Sequence, residues 1–456
     1  MPFFNNNLLK QYYLPRQAFY TFSNQYKNVV KKLFQLLFVT LLIGPSCLAQ
    51  TGFVKVSGTQ FIIDGKPYRY IGANYWYGGL LATNGDKGKA RLKTELDFLK
   101  KNGVTNLRVM VGAEGLTTYP YRVPSEKALM PQPGKFNENI MYGLDYLLNE
   151  MGKRDMKAVL HFTNTWDWSG GIDQYLEWNG YGPQPHSKYG GYTWDKNQDY
   201  TSKFYTCQTC MDELDTYIKY ILNRSNSING KKYINDPAIM AWEIINEPRP
   251  MSPAAIPAFE AWMQHVSALV KSIDRNHLLT TGSEGDIASF NDLSVYQHIH
   301  ADQNIDYLTI HVWPKNWGWF KDTSIVAGYS NIIANAAAYI NRHLQVAQTL
   351  HKPLVLEEFG LPRDSQSFSI NATTSNRDSF YTFMFGTMMQ HPEIAGCNIW
   401  AFGGTARPIP GQVFWKDGDE FMGDPGGEEQ GLNSVFDSDA STWQIIRKYA
   451  AMTPEQ

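Results

Sequence analysis

Charged residues are scarce in this chain: Asp, Glu, Lys and Arg make up 18% of its 456 residues. Their signs nearly cancel, with 41 basic and 43 acidic side chains and a formal net charge of −2. No Lys/Arg cluster stands after residue 32. A nucleic-acid partner is excluded, because gripping phosphates needs a concentrated basic face. Cysteine is also rare, at 4. Cys207-Gln-Thr-Cys210 has no second CxxC to pair with, which argues against a structural zinc site. The first strand-like run, Tyr70–Asn74, is followed by no glycine-rich phosphate turn, and Gly72–Trp76 holds no HxH. A dinucleotide-binding open sheet and a metal-dependent hydrolase both lose their usual marks. No long linker follows residue 60, and no internal repeat is visible.

Aromatic residues, in contrast, reach 14%, with 13 Trp and 27 Tyr, and the hydrophobic share of 43% is ample for a buried core. Flat rings with polar edges serve either that core or a surface for sugar C–H faces. Position along the chain must decide between the two.

The N-terminus stands apart. Lys27, Lys31 and Lys32 precede the apolar run Leu33–Ile43, followed by Gly44-Pro45 and the small-residue stretch from Ser46 to Gln50. This order of basic, apolar and cleavable regions reads as a secretory signal. The run is too short for a comfortable membrane span. Residues 1–49 are therefore predicted to be a signal peptide, residues 50–456 one domain, and the mature protein secreted, extracellular or periplasmic, without stable membrane insertion. Export favours a local disulfide between Cys207 and Cys210, and Cys397, in an apolar strand, is read as an inert buried thiol.

Beyond the signal, short β-branched runs alternate with longer amphipathic stretches. Strands are predicted at 70–74, 106–110, 157–162, 238–244, 278–281, 307–311, 353–357 and 394–400. Helices are predicted between and after them at 87–102, 138–154, 200–223, 256–273, 332–349, 375–390 and 441–451, with a weaker pattern at 287–299. Such alternation indicates parallel βα units. Eight of them give an α/β fold, a (β/α)8 TIM barrel. Residues 53–67, with a turn at Ser57-Gly58 and a close at Asp64-Gly65, form a small N-terminal β-hairpin predicted to cap the barrel's bottom.

In such a barrel the chemistry sits at the carboxyl ends of the strands. Those ends carry Arg108, His161 to Asn164, Asn246-Glu247, His311, Glu358 and Trp400. Apolar strands that each end in a titratable or amide side chain outline a catalytic cleft. Glu247 and Glu358 fall on the fourth and seventh strands. Two carboxyls roughly 5–5.5 Å apart are what a retaining glycosidase needs: one protonates the leaving oxygen, the other attacks the anomeric carbon. Asn246 is placed near a sugar 2-hydroxyl, and Arg108 and His311 are expected to hold the nucleophile ionised. The acid is expected to have its pKa raised by its anionic partner. Glu357, adjacent to Glu358, is expected to point away, because side chains alternate along a strand. Singly, each has a duller reading: a Glu in a salt bridge, a His161 satisfied by its neighbours behind the site, a core Trp400. Asp417–Glu420 reads as a solvated acidic loop. The combination favours catalysis, and the aromatic clusters at Trp166–Trp194, at Trp313–Trp319 and at Trp76 fall on the catalytic face, where long loops are commonly functional.

Ile244-Ile245-Asn246-Glu247-Pro248-Arg249 and Leu356-Glu357-Glu358-Phe359-Gly360 resemble the fourth- and seventh-strand signatures of clan A retaining glycosidases, glycoside hydrolase family 5 in particular. Arg108, His311 and Trp400 fall where that family carries its arginine, histidine and tryptophan. The stretches Asn164–Gly171 and Gly423–Asp437 look like loops of the β-mannanase branch, subfamily 7. Arg249 is similar to an arginine those enzymes use on the leaving-group side. The resemblance, covering Phe53 to the C-terminus, implies endo-hydrolysis of β-1,4-mannan, glucomannan or galactomannan, with Glu247 as acid/base and Glu358 as nucleophile, without metal or organic cofactor; separately, the chain is expected to be a monomer. In one respect the chain departs: many relatives have a tyrosine two residues after the sixth-strand histidine, where this chain has Trp313, whose ring nitrogen can only donate. Exo-acting β-mannosidase and β-1,4-endoglucanase activity remain as alternatives within enzymes, and a non-catalytic carbohydrate-binding barrel outside them.

Overall fold

Eight parallel strands form one sheet: Tyr70–Asn74, Val104–Met110, Lys157–Asn164, Ile239–Asn246, Leu278–Thr280, Leu308–Val312, Leu354–Phe359 and Ile394–Ile399. This is a computed structural model, and it describes residues 52–116, 122–185, 193–321 and 324–454. The expectation for residues 1–49 lies outside them.

In chain order the strands pair 5-4-3-2-1-8-7-6, which is a (β/α)8 barrel opened on paper between strands five and six. Regular pairing stops there because strand five is only Leu278–Thr280 and its chain then turns irregular. Single bonds close the gap: Asp306 N donates to Leu279 O at 2.8 Å, and His311 N to Glu284 O at 3.0 Å. Nearly every residue of the strands is buried. That explains their continuous apolar runs, as expected for parallel strands covered on both faces.

Helix 256–273 falls where its apolar periodicity puts it, and a helix also spans 375–390 as expected. The helix expected from 200 is broken, running Trp194–Thr201 and then Gln208–Leu222 after an irregular turn. Cys207 makes the break: it is the N-cap of the second piece, its Sγ accepting from Cys210 N at 3.3 Å, and it is disulfide-bonded to Cys210. The expected disulfide is present, and Cys397 is a buried free thiol. The weak fifth pattern resolves into a 3-10 turn at Asp286–Ser289 and a helix Leu293–His300 capped by Asp292.

The N-terminal hairpin is larger than expected: Lys66–Tyr68 joins Val54–Ser57 and Gln60–Ile63 as a third antiparallel strand. Asp64 (φ 50°) and Gly65 (φ 80°) supply the paired positive φ values that a tight hairpin turn requires. Its Phe61 and Tyr68 pack with Tyr70, Val159, Met240, Tyr307 and Val355, the inward residues at the amino ends of the strands. The bottom is thereby plugged, and the catalytic face is the opposite one.

Candidate active site

Arg108, near the end of the second strand, organises the floor of the cleft. Its Nε donates to Glu243 Oε2 at 2.7 Å, its Nη2 to Asn246 Oδ1 at 2.7 Å, and its Nη1 to Asn74 Oδ1 at 3.1 Å and to Glu358. Every guanidinium nitrogen thus has a carboxylate or amide partner, as a buried cation requires. Asn246 is fixed in turn, its Nδ2 donating to Asn164 Oδ1 at 2.9 Å.

Glu247 follows the last residue of strand four in a left-handed conformation, φ 53°. A non-glycine residue held there is strained, and such strain collects at functional sites. The backbone is held by Glu247 N donating to Gly282 O at 3.0 Å. Gly282 has to be glycine: a Cβ there would lie 2.1 Å from Ile245 O. One oxygen of Glu247 accepts from the Trp166 indole and the other lies 2.7 Å from His311 Nδ1. Glu358 accepts from Arg108 and, at 3.3 Å, from Trp313 Nε1, with His311 Nδ1 at 3.2 Å. The tryptophan that departs from the expected pattern does reach the carboxylate.

Glu247, His311 and Glu358 each bring a ligand-type atom into a group spanning no more than 4.8 Å. Among the described residues this is the one such grouping. A cation there would compete with Arg108 and with donors already engaged, so the geometry favours two carboxylates serving a reaction.

Burial pushes the Glu358 carboxyl up, to about 7, with Glu247 and Glu357 adding to it and His311 and Arg108 opposing. Burial also acts upward on Glu247, but the His311 hydrogen bond and charge outweigh it and bring that group to about 2. Burial disfavours the His311 cation, yet Glu358, Glu247 and Glu357 together raise it to about 10. The expected order, acid raised and nucleophile lowered, is reversed as the side chains stand. At Glu358 burial outweighs His311 and Arg108, whereas at Glu247 the nearer His311, with Arg249 and the Trp166 indole, outweighs burial.

A cavity of about 750 Å³ lies over these residues. Glu247, Glu358, Asn246, Arg249, Trp166, Trp313 and Trp400 all line it. Arg249 forks onto Glu284 at 2.6 and 2.8 Å and lies over the Trp166 ring, 5.0 Å from its centre. Trp313 meets Trp400 edge to face at 5.8 Å. Trp168, Trp194 and Trp317 also face the cavity.

Three expectations are corrected. Trp76 is 3% exposed and off the cavity wall; its indole donates to Met422 O and Gly423 O, both at 3.0 Å, so it anchors the eighth loop instead of carrying sugar. Trp178 packs on Tyr175 at 5.2 Å, against the core. Tyr189 and Tyr192 lie outside the described residues. Glu357 does not turn away from the barrel interior: register shifts on both flanks of strand seven, at Ile310/His311 and between Leu356 and Phe359, bring it to the same interior as Glu358. It lies 3.7 Å from Arg108 Nε and 3.5 Å from His311 Nε2.

Several participants escaped the sequence reading. Glu243 lies inside strand four, before its polar end, where no motif marks it. Glu284 lies in the irregular extension of strand five, where no pattern marks it. Asp173, Gln184, Glu428 and Glu429 also line the cavity, from the third and eighth loops.

A (β/α)8 barrel presenting two carboxyls from its fourth and seventh strands has the architecture of a glycoside hydrolase. The chain belongs to the glycoside hydrolase family 5 beta-mannosidase-like family, which it matches over residues 51–455. It is 30% identical to mannan endo-1,4-beta-mannosidase 7 of Arabidopsis thaliana, over 78% of this chain and 79% of that one. A mutant of the family 5 mannosidase from Rhizomucor miehei, solved in complex with mannosyl-fructose, superposes with a TM-score of 0.79 and 33% identity, covering 88% of this chain and 97% of that one. The endo-1,4-beta-mannanase of the same fungus gives a TM-score of 0.63 and 25% identity, covering 88% and 99%.

Proposed function

We propose that the chain is a retaining endo-β-1,4-mannanase acting on mannan, glucomannan or galactomannan, with Glu247 as acid/base and Glu358 as nucleophile. The observation that carries this is the pair of buried carboxyls within 4.8 Å, with His311 between them. Glu358 attacks the anomeric carbon while the glycosidic C–O bond breaks and its oxygen takes the Glu247 proton. Glu247, now ionised, takes a proton from water; the resulting hydroxide character attacks the same carbon, releases the sugar and regenerates Glu358. For the first step the proton must lie on Glu247. His311 sets this: at 2.7 Å from Glu247 and 3.2 Å from Glu358, a small shift toward Glu358 lowers the nucleophile and raises the acid.

Arg249 and Trp166 would hold the leaving group, Trp400 the sugar face beside Glu358, and the second amide hydrogen of Asn246 a sugar hydroxyl. The mannan preference rests on the Arabidopsis relative's name. The signal-like residues 27–50 and the Cys207–Cys210 disulfide support secretion, and we take the mature protein to be a monomer.

Exo-acting β-mannosidase activity is the second reading, favoured by the stronger superposition on the Rhizomucor mannosidase than on the mannanase of that fungus. Incubation of wild type and Glu358→Ala with mannohexaose, cellohexaose and linear mannan separates the possibilities. Di- and trimannosides from wild type and no product from the variant support the proposal. Mannose alone indicates the exo reading, cleavage of cellohexaose alone removes the mannan assignment, and an undiminished variant refutes the mechanism.

A further inference from the structure

Inside the barrel, below the catalytic pair, two buried polar atoms face each other without a full hydrogen bond to anything: His311 Nε2 and Glu357 Oε2, 3.5 Å apart. Buried polar groups are nearly always paired, so a facing donor and acceptor that need only a slight approach are best read as partners. We propose that Glu357 is a positioning residue for the acid/base: by holding the far nitrogen of His311 it keeps that ring doubly protonated, with Nδ1–H directed between Glu247 and Glu358. The part concerning the acid/base rests on the roles proposed above; the protonation of the ring does not.

The argument follows from the proton count. A neutral imidazole has one N–H. Its Nδ1 lies 2.7 Å from one oxygen of Glu247 and 3.2 Å from one of Glu358, so a hydrogen is needed there. A neutral ring would then turn a bare lone pair at Nε2 toward a carboxylate oxygen. A second proton on Nε2 converts that repulsion into a charge-assisted contact.

Of the other groups around this point, Glu243 and Glu284 also sense the His311 charge, but these two carboxyls are taken up by Arg108 and Arg249. Arg108 Nε is 3.7 Å from the same Glu357 oxygen, but Arg108 is already forked onto Glu243. The hydroxyls of Tyr70, Tyr296 and Tyr307 sense Glu357 and are pushed well above their ordinary range by burial, so they remain neutral. His161 is pushed well below its ordinary range by burial, with the neighbouring Arg108 adding to it, and adds no charge. The upward displacement of His311, in which Glu357 takes part, agrees with a ring that keeps both protons. In the reaction the ring then donates through Nδ1 before and after Glu247 gives up its proton, without itself gaining or losing one.

Ring-nitrogen NMR on the full chain labelled with 15N at histidine tests this, with His311 assigned from a His311→Asn variant. At about pH 7 the wild-type ring is expected to show two protonated nitrogens, where an unperturbed histidine would be largely neutral. In Glu357→Gln the ring should lose one proton near neutrality. The basic limb of kcat/KM on a β-mannoside, set by the Glu247 proton, should move up by about one pH unit, because an uncharged ring no longer draws that carboxyl down. The same change made in His311→Asn should add no further movement. A wild-type His311 with a single protonated nitrogen overturns the proposal, even if Glu357→Gln does not fold. So does a variant that melts like wild type with its ring and basic limb unmoved. Because the NMR needs no substrate, a chain inactive on mannosides but doubly protonated at His311 counts against the function and for the His311–Glu357 couple.

Discussion

Replacing Trp313 by phenylalanine tests how the nucleophile is held. The indole donates to Glu358 Oε2 at 3.3 Å from a nearly buried position. Hydrogen bonds to charged groups contribute roughly 1.5–3 kcal/mol, and one this long belongs at the low end. About 1.4 kcal/mol corresponds to one pKa unit and to about a tenfold change in rate. The lost donor favours the protonated carboxyl, and Glu358 must be ionised to attack. The acid limb of kcat/KM should therefore move up by about one pH unit, with a loss of about tenfold on that limb and a smaller one at the plateau. Packing is the confounding effect, since the ring touches Trp400 at 5.8 Å and stands over Gly360, where a Cβ would come within 2.8 Å of it. Trp313→Tyr addresses this by shrinking the ring while supplying a hydroxyl donor. It should recover part of the limb if the hydrogen bond matters. Acid limbs that coincide for wild type and Trp313→Phe would refute the reasoning.

Two further outcomes concern stability. Burial raises Asp173 to about 7; a carboxyl raised in the folded state contributes stability that is present below its unfolded value and lost as pH rises through the folded one. Melting temperature should fall between about pH 4 and pH 7 with a smaller slope in Asp173→Asn, and equal slopes would rule the group out as a contributor. Opening the Cys207–Cys210 link with Cys207→Ser/Cys210→Ser should cost about 2 kcal/mol, because so short a loop restrains little of the unfolded chain; denaturant unfolding with no loss would show that the link does not stabilise the helix start it caps.

The barrel was legible because its parallel strands, covered on both faces, are unbroken apolar runs. The site was legible because each run ends in a polar residue the core cannot use. Strand parity does not reach Glu243, because Glu247 stands beyond the last strand residue in a left-handed conformation. It fails at Glu357, where register shifts on both flanks of strand seven undo the alternation. Trp76 was misplaced for another reason: position after a strand puts a ring on the catalytic face, but only the fold of the eighth loop shows that its backbone takes up the indole. The third loop was read as aromatic platform. Short helices at Gly171–Trp178 and Trp194–Thr201 give it a polar interior in which Gln184 donates to Asp173 at 2.6 Å. Helices of this length leave too few turns for a periodic signal.

The reversed order of the two carboxyls follows from the same limit. Sequence supplies the groups that surround Glu247 and Glu358 but not which of them His311 touches, and that contact decides where the proton rests. Arg108 cannot decide it, being fixed by Glu243, Asn74 and Asn246 as well as by Glu358. His311 has one nitrogen near both carboxyls and the other toward Glu357. A retaining reaction needs the proton on Glu247 at the first step and off it at the second. A donor held between the pair serves both steps, whereas one fixed on either carboxyl would favour a single step.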